Sequence, residues 1–323
     1  MGMRVLFASG LLLMAGARLA ARASEEQATL KGHTKKVAAL AFSPNGRVLA
    51  SGGYDAAIKL WDAAAGKVKA SWQVPFGFPV GGLAFSPDGK TLASANTSSG
   101  EVTLWEVAGG KARHTLSVGG TVGPLAFTPD GKTLATGSTD EALKLWDAAT
   151  GELKATLKGH AGWVEAVAIS PDGKTLAAGG EKQIKLWNLA TRKEQATIKG
   201  GVGVVLSLAF SPDGRLLASG ENDFTAKLWD VKGGKRRAVL GHELEVRCVA
   251  FSADGKILAT GSNDQAVRLW VVATGELRTR LKGHAGEVWS LVFSPDGKTL
   301  ASGGADRTIK LWGVGKRVKK GQR

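Results

Sequence analysis

The amino-acid sequence predicts an all-β fold built from seven repeated four-stranded antiparallel sheets. Three observations lead to this class. Tryptophan recurs every 41 to 44 residues, and a turn of the type Phe-Ser-Pro-Asp-Gly-Lys recurs about twenty residues before each of these tryptophans. In addition, no repeat contains the 3.6-residue pattern of a helix. The recurring tryptophans are Trp61, Trp105, Trp146, Trp187, Trp229, Trp270 and Trp312.

Each repeat contains the signals for four short strands. In the second repeat, Pro87 presets the backbone for a turn, Asp88 can bond to nearby amides, and Gly89 accepts positive φ. A second apolar run follows this turn, then the strand that carries the tryptophan, then a Gly-containing turn and a fourth run. The turn motif and its near copies begin at Phe42, Phe85, Phe127, Ile169, Phe210, Phe251 and Phe293.

The two ends of the chain indicate how the last repeat is completed. Residues 28–31 (Ala-Thr-Leu-Lys), which precede the first repeat, match residues 155–158, which are predicted to form a fourth strand. After Trp312 the chain continues without an apolar fourth strand. We therefore expect the amino-terminal strand to pair with the last sheet, which would leave no incomplete sheet with an open edge.

Gly-His pairs in four repeats, together with the seven tryptophan strands, resemble the WD-repeat β-propeller family. The pairs are Gly32-His33, Gly159-His160, Gly241-His242 and Gly283-His284. The resemblance covers residues 25 to about 314, and it implies a closed seven-bladed propeller whose neighbouring blades cover one another. The short leader further suggests a bacterial-type, exported member of the family.

The resemblance also implies a hydrogen-bond chain in each blade that joins a Trp, a Ser or Thr, a His and an Asp. An indole only donates and a carboxylate only accepts, so a hydroxyl and an imidazole can link them. The third and fifth repeats lack the His, the fourth lacks the Asp, and the second departs most. Three repeats are complete: His33, Ser51, Asp55 and Trp61; His242, Thr260, Asp264 and Trp270; and His284, Ser302, Asp306 and Trp312.

Nothing in the sequence suggests catalysis, so we expect neither an enzyme nor a cofactor or metal. The 323 residues include one Cys and five His, and four of those His belong to the Gly-His pairs. Cys248 falls in a column of small residues and is expected to be a packed thiol. No apolar stretch reaches eighteen residues, so no membrane span is expected in the mature chain.

Segments outside the repeats carry separate predictions. Residues 1–23 combine Arg4, an apolar stretch and Ala21-Arg22-Ala23, a pattern that predicts a signal peptide and export to the periplasm or cell exterior. The alternative is an unstructured leader on a cytoplasmic protein. The propeller is assigned to residues 24–315 and a basic tail to 316–323. The formal net charge is +15. Much of the positive charge in the repeats recurs after the Gly of each turn, and a further group lies two residues before Trp, so we expect surface charge that favours solubility.

The resemblance implies that partners bind the narrow top face, on side chains three and five residues after the His position and just before the Asp. We predict a non-catalytic scaffold, a monomer, that binds a protein or peptide there; a nucleic-acid partner is not expected. The alternatives are a lactonase-like or quinoprotein-like enzyme and a basic surface-binding or adhesion module. Glu287, Trp289, Arg247 and Tyr54 are expected to form one patch. The full predicted set is Lys36, Tyr54, Trp163, Glu165, Glu245, Arg247, Glu287 and Trp289.

Overall fold

A computed structural model of the chain describes residues 25–160 and 162–314. Within these ranges the chain forms 27 β-strands and one short 3-10 helix at Pro75–Gly77, and paired strands are antiparallel throughout. The predicted all-β class with four-stranded antiparallel sheets is therefore confirmed. The leader at 1–23 and the tail at 316–323 lie outside the described residues.

The strands follow the sequence repeats, which are numbered here as units 1 to 7. An amino-terminal strand, β1 (Glu26–Lys31), precedes unit 1. The strands of units 1 to 3 are β2 (Val37–Phe42), β3 (Val48–Gly53), β4 (Ala57–Asp62) and β5 (Val68–Gln73); β6 (Val80–Phe85), β7 (Thr91–Asn96), β8 (Glu101–Glu106) and β9 (Lys111–Ser117); and β10 (Val122–Phe127), β11 (Thr133–Ser138), β12 (Leu143–Asp147) and β13 (Leu153–Leu157).

Units 4 and 5 share one long strand, so their strands form a single seven-stranded sheet. The first part of β17 pairs with unit 4, and the last part pairs with unit 5. The remaining strands are β14 (Ala166–Ile169), β15 (Thr175–Gly179), β16 (Glu181–Asn188) and β17 (Glu194–Phe210); β18 (Leu216–Glu221), β19 (Thr225–Asp230) and β20 (Arg236–Gly241); β21 (Val246–Phe251), β22 (Ile257–Ser262), β23 (Val267–Val271) and β24 (Leu277–Leu281); and β25 (Val288–Phe293), β26 (Thr299–Gly304) and β27 (Thr308–Gly313).

The recurring Ser-Pro-Asp-Gly turn is held by its own side chains, as unit 2 illustrates. The hydroxyl of Ser86 donates to Asp88 (2.6 Å) and accepts from the amide of Thr91 (3.0 Å), while Asp88 also accepts from the amide of Lys90. These donors lower the pKa of Asp88. Gly89 has φ +71°, a conformation that costs a glycine little. The turn motif therefore reverses the chain between the first and second strands.

Apolar residues are buried between units rather than within one sheet. Seven hydrophobic clusters are found among the described residues, and each draws on two neighbouring units. One of them joins Leu49 and Trp61 of unit 1 to Ala301 and Ile309 of unit 7. First strands of successive units also contact one another, and β25 contacts β2. These contacts support the predicted closed ring of seven blades, whose count stays a prediction.

The last sheet is completed by β1, as the chain ends predicted. Strand β1 pairs antiparallel with β27, with Ala28 opposite Leu311 and Leu30 opposite Ile309. The ammonium of Lys310 adds an ion pair to Glu26 at 2.9 Å. The predicted role of the amino-terminal strand is thus confirmed, and the strand joins the two ends of the repeat array.

Candidate functional site

The eight predicted partner-binding residues lie at one end of the sheets. Each first strand begins at this end, and each second strand turns there into the third, because strands within a unit are antiparallel. We call this end the top face. The opposite end, the bottom face, carries the Ser-Pro-Asp-Gly turns.

Side chains of units 1, 6 and 7 meet at the top face around Trp289. The Nζ of Lys36 lies 3.8 Å from the ring centre of Tyr54 and 3.4 Å from that of Trp289. The Tyr54 and Trp289 rings are 6.2 Å apart, and the guanidinium of Arg247 lies 4.7 Å from the Trp289 ring centre. Two cations and two aromatic rings therefore form one cluster through cation–π contacts.

Two carboxylates and an amide hold the side chains of this cluster in place. The indole of Trp289 donates to Glu287 at 2.9 Å. Arg247 donates to Asn263 (3.1 Å) and pairs with Glu245 at 2.7 Å. The four residues expected to form one patch are thus brought together. Lys36, Glu245 and Asn263 join them, so the cation of Arg247 is already paired.

A cavity of about 590 Å³ lies along the axis, lined by the first strands. Tyr54, Trp163, Glu165, Arg247 and Trp289 line it. The small-residue column found in the sequence lines it as well: Ala39, Gly82, Pro124, Ala166, Ser207, Cys248 and Ser290. Because these side chains are short, the space between the seven first strands stays open. The thiol of Cys248 is buried, and burial raises its pKa, which makes it a poor nucleophile.

Unit 4 contributes Trp163 and Glu165, which line the same cavity as Arg247 and Trp289 but, within the described residues, form no hydrogen bond or ion pair with the Trp289 cluster. The Trp163 side chain is 58% exposed. The Glu165 side chain is half-buried, and burial raises the pKa of its carboxyl although Arg247 opposes this shift. Three further apolar side chains are exposed in loops of the top face, and sequence reasoning missed them: Phe76, Phe224 and Leu244. The Pro-Phe pair in place of Gly-His was the available signal for Phe76.

Units 1 and 7 contain the hydrogen-bond chain that the resemblance implied. In unit 1 the Trp61 indole donates to Ser51 (2.8 Å), Ser51 lies 2.7 Å from His33 Nε2, and His33 Nδ1 lies 3.0 Å from Asp55. Because a carboxylate only accepts, His33 carries its proton on Nδ1 and accepts from Ser51. In unit 7, burial raises the pKa of Asp306, but hydrogen bonds from His284 and Thr308 outweigh burial and leave it well below its ordinary value.

Unit 6 departs from this chain although it has the same four residue types. The Nδ1 of His242 lies 3.8 Å from Asp264, and the guanidinium of Arg268 occupies the space between them, 2.7 Å from His242 and 2.6 Å from Asp264. Arginine only donates, so His242 accepts at Nδ1 and donates from Nε2 to Thr260. Burial and the charge of Arg268 lower the pKa of His242 to about 3. The expectation of a direct His–Asp bond here is wrong.

Units 3, 4 and 5 each depart from the hydrogen-bond chain of unit 1 in a different way. In unit 3, Lys144 pairs with Asp140. In unit 5, Glu221 takes the place of the His, accepting from Ser219 (2.8 Å) and from the buried Lys227 (2.6 Å). In unit 4 an alanine, Ala178, replaces the hydroxyl, and the indole nitrogen of Trp187 has no hydrogen-bond partner among the described residues.

The cations two residues before Trp were expected to be surface charge. That expectation is wrong for several of them. Lys227, Arg268 and Lys310 are buried and ion-paired. In units 5 and 6 this side chain reaches an acid near the top face, Asp223 or Asp264, whereas Lys310 reaches Glu26 of β1.

Metal and membrane sites were also sought in the described residues. In these ranges no three His, Cys, Asp or Glu residues converge closely enough to hold a metal ion. The helical content there includes no segment long and apolar enough to cross a membrane.

Several segments of the chain are similar to known proteins. A family model described as IFT122 first beta-propeller matches residues 121–270, and the WD domain, G-beta repeat model matches residues 24–62, 71–106 and 275–313. Among curated proteins, Protein Mut11 from Chlamydomonas reinhardtii is 62% identical over 37 residues, which are 12% of this chain and 10% of Mut11. The similarity thus spans about a tenth of that relative. The two models together support a WD-repeat propeller family, and neither describes an enzyme.

The same comparison contradicts the prediction of export. The matches are to an IFT122 propeller and to a protein of a eukaryote, Chlamydomonas reinhardtii, rather than to exported bacterial proteins. A bacterial-type exported member is therefore not supported. The pattern at residues 1–23, a basic residue before a short apolar stretch, is too general to establish secretion.

Proposed function

We propose that this chain, which carries WD repeats of the propeller family, is a non-catalytic scaffold that binds a protein or peptide partner on its top face. The observation that carries the proposal is the collection of aromatic and charged side chains at the mouth of the axial cavity. Tyr54, Trp163, Arg247 and Trp289 line one cavity, and Trp and Arg are the residues most enriched among interface anchors.

The difference between the two faces supports the top face as the binding surface. Its loops expose Phe76, Trp163, Phe224 and Leu244, whereas turns of the bottom face repeat one polar motif, as Asp88 and Asp296 show. The motif repeats on the bottom face because its Ser and Asp side chains hold each turn together. The top-face residues differ between units and serve no such turn, which is expected of a surface that recognises a specific partner.

The side chains of the Trp289 cluster are already held in place by one another, which also supports the proposal. Lys36 and Arg247 lie against the Trp289 ring, and Glu287 accepts from its indole. A partner would therefore meet side chains that are already ordered, so less conformational entropy is lost on binding.

Affinity capture tests the proposed function. Intact protein and the Trp163→Ala/Trp289→Ala double variant are immobilised and exposed to lysate of the source organism. We expect a partner on the intact protein that the double variant loses. A Leu153→Ala/Leu277→Ala variant serves as the matched control, because it removes two exposed apolar side chains from outer strands and should retain the partner.

Two results would contradict the proposal. Retention of the partner by the tryptophan double variant would move the binding surface elsewhere. A large drop in the melting temperature of that variant would assign Trp163 and Trp289 to the core, since surface substitutions usually change stability by less than about 0.5 kcal/mol.

A further inference from the structure

We propose that the bottom face of unit 5 binds the phosphate backbone of double-stranded nucleic acid through the turn at residues 231–237. This turn joins β19 to β20 and lies at the bottom face, because β18 turns into β19 at the top face. It reads Val-Lys-Gly-Gly-Lys-Arg-Arg, with four cations and no acid. The proposal revises the sequence-based expectation that no nucleic acid binds, and it goes beyond the proposed function, which concerns the other face.

Unit 2 contains the same turn with two fewer cations. Residues 107–113 read Val-Ala-Gly-Gly-Lys-Ala-Arg, so Lys232 and Arg236 of unit 5 stand where unit 2 has alanines. In both turns the second glycine, Gly110 or Gly234, donates its amide to the carbonyl four residues earlier at 2.8 Å. In both turns the last arginine pairs with the acid seven residues before it. The fold therefore does not require Lys232 or Arg236.

Three cations of the unit 5 turn have no partner for their charge. Lys232, Lys235 and Arg236 are exposed, and within the described residues their side chains form no hydrogen bond or ion pair. Arg237 pairs with Asp230 at 2.8 Å, and this acid also accepts from two amides of the turn. The charge of the turn therefore remains positive, and a ligand that neutralises it must be anionic.

A fifth cation lies on the adjacent turn of the same unit. The carbonyl of Arg215 accepts from the amide of Val231 at 3.0 Å. The Arg215 side chain is 86% exposed, and its nearest acid, Asp213, is 4.0 Å away. Between the cations, a Cβ added to Gly233 would meet only Asp230, at 4.0 Å. An anion can therefore approach the backbone of this turn closely.

The composition of these two turns favours double-stranded nucleic acid over other anions. Proteins that lie on membranes insert large apolar side chains beside their cations, but the apolar side chain of the 231–237 turn, Val231, is half-buried. Single strands are bound by aromatic stacking, and residues 211–215 and 231–237 contain no aromatic residue. A DNA duplex carries one charge per about 1.7 Å of its axis, so five neighbouring cations can meet several phosphates.

Fluorescence anisotropy of the full chain with a labelled DNA duplex of about 20 base pairs, at about 50 mM salt, tests the proposal. Lys232→Ala/Arg236→Ala gives unit 5 the turn sequence of unit 2, so this variant should fold. It should bind at least about tenfold more weakly, and the slope of log K against log salt should decrease by about one per cation removed. Duplexes of unrelated sequence should bind equally, because phosphate contacts carry no sequence information.

Two further variants isolate the turn from total charge. Lys67→Ala/Arg278→Ala removes two exposed cations near the corresponding turns of units 1 and 6, and it should leave affinity unchanged although net charge falls equally. Ala108→Lys/Ala112→Arg, added to the unit 5 variant, moves the two cations to the matching turn of unit 2. Both alanines are exposed, and this transfer should restore binding.

Absence of salt-dependent binding, an unchanged affinity in the folded Lys232→Ala/Arg236→Ala variant, an equal loss in the Lys67→Ala/Arg278→Ala control, or failure of the unit 2 transfer would each overturn the proposal. Tighter binding of poly-glutamate, or of phosphatidylserine–phosphatidylcholine vesicles, than of the duplex would overturn it as well. The Trp163→Ala/Trp289→Ala variant should bind the duplex as the intact protein does. Loss of top-face capture and loss of duplex binding are therefore separate results, and neither decides the other.

Discussion

In unit 1 and in unit 5 a tryptophan indole donates to a serine hydroxyl at nearly the same distance, 2.8 and 2.9 Å, but the groups behind the serine differ. Behind Ser51 lie a histidine and one carboxylate. Behind Ser219 lie a buried lysine and two carboxylates. The bond between indole and hydroxyl is thus common to both, whereas different sets of donors and acceptors can complete the site behind it.

The largest expected effect concerns the buried ion pairs of unit 5. Lys227→Met removes the only cation that contacts Glu221 and Asp223 in the described residues, and breaking a buried ion pair from one side costs about 3–5 kcal/mol. Lys59→Met is the matched control, because Lys59 occupies the same place in unit 1 but contacts Ser71 near the surface. Urea unfolding of both variants measures the difference. Equal losses of stability in the two variants would mean that the buried ion pairs of Lys227 stabilise the protein no more than the surface contact of Lys59 does.

Removal of the shared hydroxyl should have the next largest effect. Ser51→Ala deprives two buried groups of their partner, the Trp61 indole and His33 Nε2, and each unsatisfied group costs about 1–3 kcal/mol. We expect a loss of about 2–4 kcal/mol in the free energy of unfolding. Ser71→Ala, on the outer strand of the same unit, should change it little. If Ser51→Ala proves equally mild, then burial of Trp61 alone stabilises this site.

A pH dependence of stability tests the arrangement around His242 in unit 6. Burial and Arg268 lower the pKa of His242 to about 3, whereas the unfolded chain takes up a proton near pH 6.5. Stability should therefore decrease as the pH falls from 7 to 5, by roughly 1–2 kcal/mol from this residue. His242→Gln should reduce the slope without abolishing it, because burial also lowers the pKa of His33. An unchanged slope would exclude His242 as its source.

Much of the fold follows from sequence patterns, and the details of each site do not. The Trp spacing and the turn chemistry depend on short-range rules, so they predict the strands, and the missing fourth strand after Trp312 predicts the pairing of β1 with β27. The role of Arg268 depends on whether a long side chain enters the gap between His242 and Asp264, which residue types alone do not decide. At the top face, the sequence predicts that Tyr54, Arg247 and Trp289 lie near one another. The position of Lys36 between two rings required side-chain geometry.

The smallest expected effect concerns unit 4, in which the shared hydroxyl is absent. Ala178 is fully buried and pairs across the sheet with Lys185, as Ser51 does with Lys59. Ala178→Ser would therefore place an acceptor near the unpartnered indole nitrogen of Trp187. A hydrogen bond to a buried donor is worth about 1 kcal/mol, so the variant should be more stable than the natural chain by about that amount.

Ala177→Ser is the control for this change. It adds the same atom one residue earlier, where the side chain points to the opposite face of the strand and packs in a different hydrophobic cluster. There the hydroxyl would be buried among apolar groups, so this variant should lose stability by about 1–3 kcal/mol. Opposite signs for these neighbouring substitutions would establish that the indole needs an acceptor. A loss of stability in both variants would mean that unit 4 packs tightly around Ala178 and satisfies the Trp187 indole in another way. The bond between indole and hydroxyl would then be dispensable in this unit.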